Sequence, residues 1–541
     1  MKTHYKLIAR SGFNYGIVGL FAMVILTFTS CKKNFEKYNT DNTGVSKFSS
    51  GLIFPGLQYS VFNEEGGYQL DQNLNADCYA GYMMSPNPFR GNINNLNYSL
   101  VDGWNQQIFI DSYTTSLFAI NGIAKTGAKA NLPDFWAIAL ILKVEIMDRV
   151  TDKFGPISYS KAATSILTTP YDSQQSVYNR FFMELDTATA NLNTFIAANP
   201  GKTPFATYDR VFGGDYTKWL KFANSLRLRL AMHLTKVDLV TARAQGEKAL
   251  IAPGGLMTTS DDNAGISGSG YHNPLNVITT GWTDIAAGAS LQSYLVGYKD
   301  PRLAKYLSPV VTDPKVSGSL PASYAGQYIG IRIGSAVTAK PGYNSFSTLN
   351  PNTVVASGSP MLMMTAAEAW FLKAEAALRG WTGAGDVKTN YETGINTSLA
   401  QWGVSNAAYV NDAASKPSDY KDPVNSANNA TAVSNITIAW NAGATDEQKL
   451  ERIITQKWLA MFPEGQEAWT EFRRTGYPKL FTVVNNNSGG TIDTQTQIRR
   501  LAYPRDEYTK NGAEVQKAVT LLGGPDNGGT RVWWDVNKSN F

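Results

Sequence analysis

The sequence predicts a mainly α protein, a scaffold of helical hairpins carrying long irregular loop insertions on one side. Three observations carry that expectation. From about residue 105 onward, apolar residues recur at the 3.6-residue period in several segments. Those segments are bounded by cap residues of the expected types. Two stretches, roughly 51–104 and 252–360, show little helical pattern and are rich in Gly, Asn, Ser, Pro and Tyr.

The first long helix opens at Asn131 and Pro133, because a proline in the first turn removes only an N–H that would have no intrahelical partner. Phe135, Trp136, Ile138, Leu140, Ile141, Leu142, Val144, Ile146, Met147 and Val150 cover nearly every face, which marks an interior helix ending near residues 152–156. A second helix is expected over 178–198, closed by Asn199, Pro200 and Gly201. A third follows Gly213 and Gly214 with Asp215 as its cap and a stripe of Trp219, Leu220, Ala223, Leu226, Leu230 and Leu234; residues 241–250 form its short partner. From Thr365 the run AAEAWFLKAEAALRG, the turn WTGAGD and a helix through Tyr391, Ile395 and Leu399 to Trp402 read as a pair. Small residues beside Trp370, Phe371 and Leu372 let two helices approach closely, the composition of a tetratricopeptide-type hairpin without the full repeat signature. Thr445 with Gln448 makes a capping box for a helix ending at Pro463, and Asn511 with Glu514 another for the last helix, which Gly523, Gly524 and Pro525 stop. The polar insert at 403–444 reads as surface.

Composition narrows the function. The chain of 541 residues is 43% hydrophobic and 17% charged, enough to bury a large core. Two cysteines, Cys31 and Cys78, cannot build a disulfide framework or a Cys-rich zinc site, and three histidines cannot feed a His-based metal cluster. Residues 1–30 carry Lys2, Lys6 and Arg10 and no acid, so without them the balance moves from 48 basic against 43 acidic to 45 against 43. That near-neutral balance, with no basic stripe, argues against nucleic acid as a partner.

Lys2, Lys6 and Arg10 precede an apolar run of 14 residues at 16–29, too short to span a bilayer comfortably and read as the hydrophobic region of a signal peptide. Thr29 and Ser30 stand directly before Cys31, as at a bacterial lipoprotein cleavage site, so Cys31 is expected to become the lipid-bearing first residue of the mature chain. The expected organisation is a signal peptide over 1–30, a flexible tether over 31–50 and a single folded domain over 51–541, with the membrane contacted through the lipid anchor alone. Cys78 reads as a small buried apolar side chain.

Motifs for chemistry fail on inspection. Gly201-Lys202-Thr203 resembles the end of a phosphate loop, but Ile196 stands where the earlier glycine is required. Asp261-Asp262-Asn263 offers oxygens to a structural Ca2+ but lacks EF-hand spacing and reads as a solvated turn, so no cofactor is assigned. Glu464, Glu467 and Glu471 share a helix face without the arrangement of a glycosidase pair, and Arg473 and Arg474 follow as ion-pair partners. With no catalytic constellation, the chain is not read as an enzyme. The aromatics of the two loop regions, interleaved with Asn and Gln, suit a neutral polyhydroxylated ligand, because aromatic faces meet sugar C–H groups while amides donate and accept hydrogen bonds.

Six stretches carry a resemblance: DRVTDKFGPISYSKA (148–162), WLKFANSLRLRLAMHL (219–234), GWTDIAAGASLQSYLVGYKDPRLAKY (281–306), MTAAEAWFLKAEAALRGW (364–381), ERIITQKWLAMFPEGQEAWTEFRRTGYP (451–478) and RRLAYPRDEYTKN (499–511). In order and spacing the chain resembles the SusD/RagB family of outer-membrane nutrient-binding lipoproteins, in its SusD-like 2 branch. The resemblance implies a SusD-like scaffold of tetratricopeptide-like units, display at the cell surface, and association with a TonB-dependent, SusC-like transporter barrel to which glycan or peptide ligands are delivered. A protein-binding helical scaffold is the alternative, and a helical glycoside hydrolase a weaker one. The ligand loops vary in such proteins, so the candidate contacts come from loop composition: Tyr82, Phe89, Asn273, Trp282 and Tyr343.

Overall fold

The computed structural model describes residues 50–162 and 168–541. The segment assigned to export, Cys31 and the tether up to Ser49 lie outside the described residues. Residues Ser50–Phe541 form one compact unit.

Its long helices are α1 (Leu117–Lys125), α2 (Pro133–Phe154), α3 (Gln174–Ala198), α4 (Tyr216–His233), α5 (Leu239–Leu250), α6 (Ala289–Gly297), α7 (Ala366–Leu378), α8 (Val387–Gln401), α9 (Asp446–Met461), α10 (Gly465–Thr475) and α11 (Gly512–Leu522). The pairs α2–α3, α4–α5 and α7–α8 are hairpins, and they stack in a row through α3 on α4, α4 on α7 and α7 on α9. This is the tetratricopeptide-like architecture that small residues on α7 permit. In the α4–α5 hairpin a Cβ at Gly246 would stand 2.0 Å from the Trp381 ring, so only glycine lets that indole close the end of the unit. α2 is buried on nearly every face, as its all-round apolar pattern predicts. No helix among the described residues is long and apolar enough to cross a membrane.

The caps decide where these helices begin. Asp215 accepts from Thr217 N and Lys218 N, Thr365 from Glu368 N, and Thr445 with Gln448 forms the reciprocal box. Several boundaries differ from the sequence expectation: α5 starts at Leu239, capped by Asp238, and α9 ends at Met461. α3 starts at Gln174, four residues before 178, because Ser173 accepts from Ser176 N. Asn511 does not cap α11; its side chain instead accepts from Thr169 N at 3.1 Å and donates to Thr169 O at 2.8 Å.

The larger correction concerns 51–104. This stretch contains a helix at Phe54–Tyr59 and another at Glu65–Tyr68 that continues as a π-helical segment, Gln69–Asp77, packed against α10. QLDQNLNAD shows no apolar period because this segment buries Asp71, Gln72, Asn73, Asn75 and Asp77, so polar satisfaction holds it instead of an apolar stripe. The strands are short and antiparallel: β1 (Met83–Met84) pairs with β3 (Ala286–Ala287), and β2 (Ala264–Ile266) with β4 (Met361–Met364). Through them the two loop regions are tied to each other and to α7. The insert at 403–444 is irregular yet buries Tyr409, Tyr420 and Ile438, so it is a seated wall as well as a surface.

Candidate functional site

Beneath the loops lies a platform of buried charge. Glu464 caps α10 by accepting from Glu467 N at 2.8 Å and pairs with Arg149 Nη1 at 2.9 Å. Glu467 meets Lys457 Nζ at 3.2 Å and His233 Nε2 at 3.2 Å. Glu471 accepts from Arg474 at 2.7 Å, and Arg474 also forks onto Glu375 at 2.6 Å and 2.7 Å. Arg229 bridges Glu368 at 2.8 Å and Glu145 at 3.3 Å. The three glutamates are therefore ion-pair members, and of the two expected partners Arg474 pairs with Glu471 while Arg473 pairs with none of them. Arg473 meets no carboxylate directly: Nη1 donates to Asp152 O and Arg499 O, and its guanidinium lies 3.7 Å from the centroid of the Trp469 ring.

Electrostatics follow from this packing. Burial alone would raise Glu375 and Glu467, yet Arg474 and Arg379 hold Glu375 at about 2, and His233, Lys457 and Arg229 hold Glu467 well below its usual range. Asp77 has only amide, phenol and backbone donors, so burial dominates and pushes it up to about 6. Asp148, Asp152 and His233, and His233 with Glu467 and Glu471, bring ligand atoms within 4.8 Å of one another. These groups do not fit a metal, because Tyr178, Trp534, Thr470, Lys457 and Arg474 already occupy the oxygens and supply the countercharge. Asp262 likewise departs from a solvated turn or a Ca2+ ligand: Lys221 Nζ at 2.9 Å, Thr258 N at 2.9 Å and Thr259 N at 3.2 Å occupy it. Cys78 is buried, and burial pushes its thiol well up.

Three of the five aromatic and amide candidates belong to the interior. Tyr82 is fully buried, its ring stacked 5.1 Å from Trp458 and its hydroxyl donating to Trp458 O. Asn273 is buried as the cap of a short turn, accepting from Leu275 N at 2.9 Å and donating to Ser359 Oγ at 3.0 Å. Tyr343 is buried against Phe346, ring centroids 5.1 Å apart. Each is spent on anchoring its loop, so ligand contact is reassigned away from these three.

Phe89 and Trp282 stand on loops that hydrogen bonds join. Asp284 is the hub, accepting from Gln69 Nε2 at 3.3 Å, Asn87 Nδ2 at 3.1 Å and Lys340 Nζ at 2.9 Å. Lys340 Nζ also donates to Trp282 O at 2.6 Å, and Asn92 exchanges hydrogen bonds with Val337 at 2.8 Å and 3.2 Å. Residues 87–92, 282–284 and 337–340 are thereby locked together. Trp282 is 37% exposed and its indole has no ring partner among the described residues, while Phe89 is half-buried edge-on to Trp104 at 5.7 Å. Beside Phe89, Arg90, Ile93, Leu100, Trp104 and Arg505 line a depression of about 440 Å3. Arg90, Asn92 and Thr283 hold φ of 55°, 62° and 50°, backbone strain gathered at the loops that present the aromatics. Sequence reasoning missed Asn87, Arg90, Asp284 and Lys340; the weak signal for Asp284 was an acid two residues beyond an aromatic in a Gly-rich loop.

Comparisons with known proteins bear on the chain as a whole. A SusD-like family model, described as SusD and RagB outer membrane lipoprotein, matches residues 31–535. No curated protein matches. Among solved structures, a chitin-binding SusD homologue from Flavobacterium johnsoniae is 43% identical with a TM-score of 0.86, covering 91% of this chain and all of its own. A SusD homologue from Bacteroides vulgatus is 37% identical with a TM-score of 0.84, covering 91% of this chain and 98% of its own. Another from Bacteroides thetaiotaomicron is 35% identical with a TM-score of 0.81, covering 91% of this chain and all of its own.

Proposed function

Since the chain belongs to the SusD/RagB family of nutrient-binding outer membrane lipoproteins, we propose that it captures chitin-type oligosaccharides on the Trp282–Phe89 surface and delivers them to a TonB-dependent transporter barrel. In this reading Cys31 carries the lipid that anchors the protein at the cell surface, and residues 32–49 tether the folded body.

The observation that carries the reading is the free Trp282 ring held in a hydrogen-bonded frame. An N-acetylglucosamine unit offers an apolar C–H face for the indole, and its acetamido group suits an amide and an apolar neighbour, here Asn87 Oδ1 and the exposed Ile93. Chitin as the class is supported by the 43% identical relative described as chitin-binding. A protein that hands its cargo on must release it, so micromolar binding is expected, about −8 kcal/mol.

Calorimetric titration with chitohexaose, cellohexaose and a mixed peptide pool tests the ligand class, and co-purification from membranes tests the partner. Binding of chitohexaose in preference to the others is expected. Preference for peptide or for cellohexaose would sink the chitin assignment, and isolation without any barrel protein would sink the delivery role.

A further inference from the structure

A second cavity, sharing no lining residue with the Trp282 surface, lies where α6 and the helix Leu303–Tyr306 meet the loop at 321–329 and the insert at 418–421. Its volume is about 730 Å3, inside the roughly 300–1,000 Å3 range of small-ligand sites. The walls are fixed. Ser418 N donates to Ser293 O at 2.9 Å and Ser293 Oγ to Ser418 O at 2.5 Å, seating the insert on α6. Val310 N donates to Gln327 O at 2.7 Å and Gly326 N to Val310 O at 3.0 Å, pinning the opposite loop.

Several of the groups that line it are unspent. Every other tyrosine among the described residues has a ring neighbour or a hydrogen-bonded hydroxyl; Tyr324 and Tyr328 have neither, and both line this cavity. Gln292 is 7% exposed and its Oε1 accepts from Gly330 N at 3.3 Å, while its amide nitrogen has no acceptor. Lys299 and Lys421 line the same space without a carboxylate in ion-pair range, and Lys299 holds φ at 51°, in the left-handed region. Surface packing accounts for a half-buried tyrosine, but it does not account for two tyrosines with neither ring nor hydroxyl partner and a nearly buried amide with a free nitrogen converging on one cavity.

From this convergence we infer that the cleft between α6 and the 418–421 insert is a second oligosaccharide-binding site, with Tyr324 and Tyr328 as its sugar-facing rings and Gln292 as its buried donor. The inference rests on the proposed glycan-binding role. The ligand is a neutral polyhydroxylated chain: ring faces lie on the tyrosines, hydroxyl or acetamido oxygens accept from Gln292 Nε2, and Lys299 and Lys421 donate at the rim. Two sites on one chain retain a polymer longer than either alone, because the second contact forms at high effective concentration.

The test is calorimetry with chitohexaose on the wild type, W282A, Y324A/Y328A and the triple variant. Two sites per chain are expected in the wild type. Y324A/Y328A removes one or weakens it at least tenfold, W282A affects only the other, and the triple variant loses both. A single wild-type site that W282A abolishes and Y324A/Y328A leaves unchanged would overturn this inference while sparing the proposed function. A wild type that binds no oligosaccharide would overturn both. If circular dichroism shows the double alanine variant misfolded, Gln292→Glu decides: it removes the amide donor while keeping an oxygen for Gly330 N, and weakening at one of two sites supports the inference, whereas unchanged binding at every site overturns it.

Discussion

Replacing Trp282 with alanine isolates the aromatic contribution to ligand capture. The indole is free to be covered by a ligand: it is 37% exposed, no ring stacks on it, and only its backbone is held, by Val277 O at 2.9 Å and Lys340 Nζ at 2.6 Å. A tryptophan side chain presents roughly 250 Å2, so a 37% exposure leaves about 90 Å2 for a sugar face to cover. At about 25 cal/mol per Å2 that area contributes about 2 kcal/mol, or about 30-fold in affinity. Trp282→Ala should therefore weaken chitohexaose binding at this site about 30-fold by calorimetry, and Trp282→Phe by much less. Stability should fall by roughly 1–3 kcal/mol, because the rest of the side chain is covered by its own loop, and the affinity comparison is made on folded protein. Affinity within twofold of wild type in a folded W282A protein would refute the assignment of this surface.

Three further outcomes follow from the geometry. Glu375→Gln leaves buried Arg474 half-paired; since the folded state holds Glu375 at about 2 against an ordinary 4.5, the pair contributes about 3 kcal/mol above pH 4.5, and that advantage over the variant should vanish as pH falls toward 2 in denaturant titrations. A difference that stays flat from pH 6 to 2.5 would contradict it. Thr283→Gly relieves a β-branched residue at φ 50°, a conformation costing roughly 1–2 kcal/mol, so stability should rise by about 1 kcal/mol while glycan binding weakens as the turn under Trp282 loosens; a loss of stability would discard the strain argument. Gly297→Ala places a Cβ 2.2 Å from Lys416 O, so the insert should lift from α6, with faster hydrogen exchange at 416–420 and a loss of roughly 1–3 kcal/mol; unchanged exchange would show that the insert is not seated there.

The helical scaffold was legible because its determinants are local. Asp215, Thr365 and Thr445 announce their helices through a hydrogen bond two or three residues away, and the stripe from Trp219 to Leu234 follows one period. The segment Gln69–Asp77 was not legible, since its burial is satisfied by partners such as Arg149 and Glu464, which are distant in sequence. Composition singled out the loop aromatics as a group and failed on Tyr82, Asn273 and Tyr343 for the same reason. Tyr82 and Trp282 are both loop aromatics, and only the placement of Trp458 across the fold makes one a core residue and leaves the other exposed.

The buried charges bear on binding as well as folding. A single chain of contacts runs from Arg474 and Glu471 through Lys457 and Glu467 to Arg229, and from Arg149 and Glu464 to Gln72 in the π-helical segment. That segment leads through Asp77 into β1 and the loop bearing Phe89, and its Gln69 reaches Asp284 beneath Trp282. Ions removed from water in this way add little net stability over apolar packing, but breaking any one pair is costly, so the network penalises displacement of the elements it joins. The proposed Trp282 surface is thus held by the same contacts that fix the hairpins, and binding there would order few additional groups. Little of the contact energy is then lost to ordering, and a few anchors such as Trp282 suffice for micromolar capture. Under the proposed delivery role, release would then come from the body moving as a unit relative to its partner and not from melting of the loops.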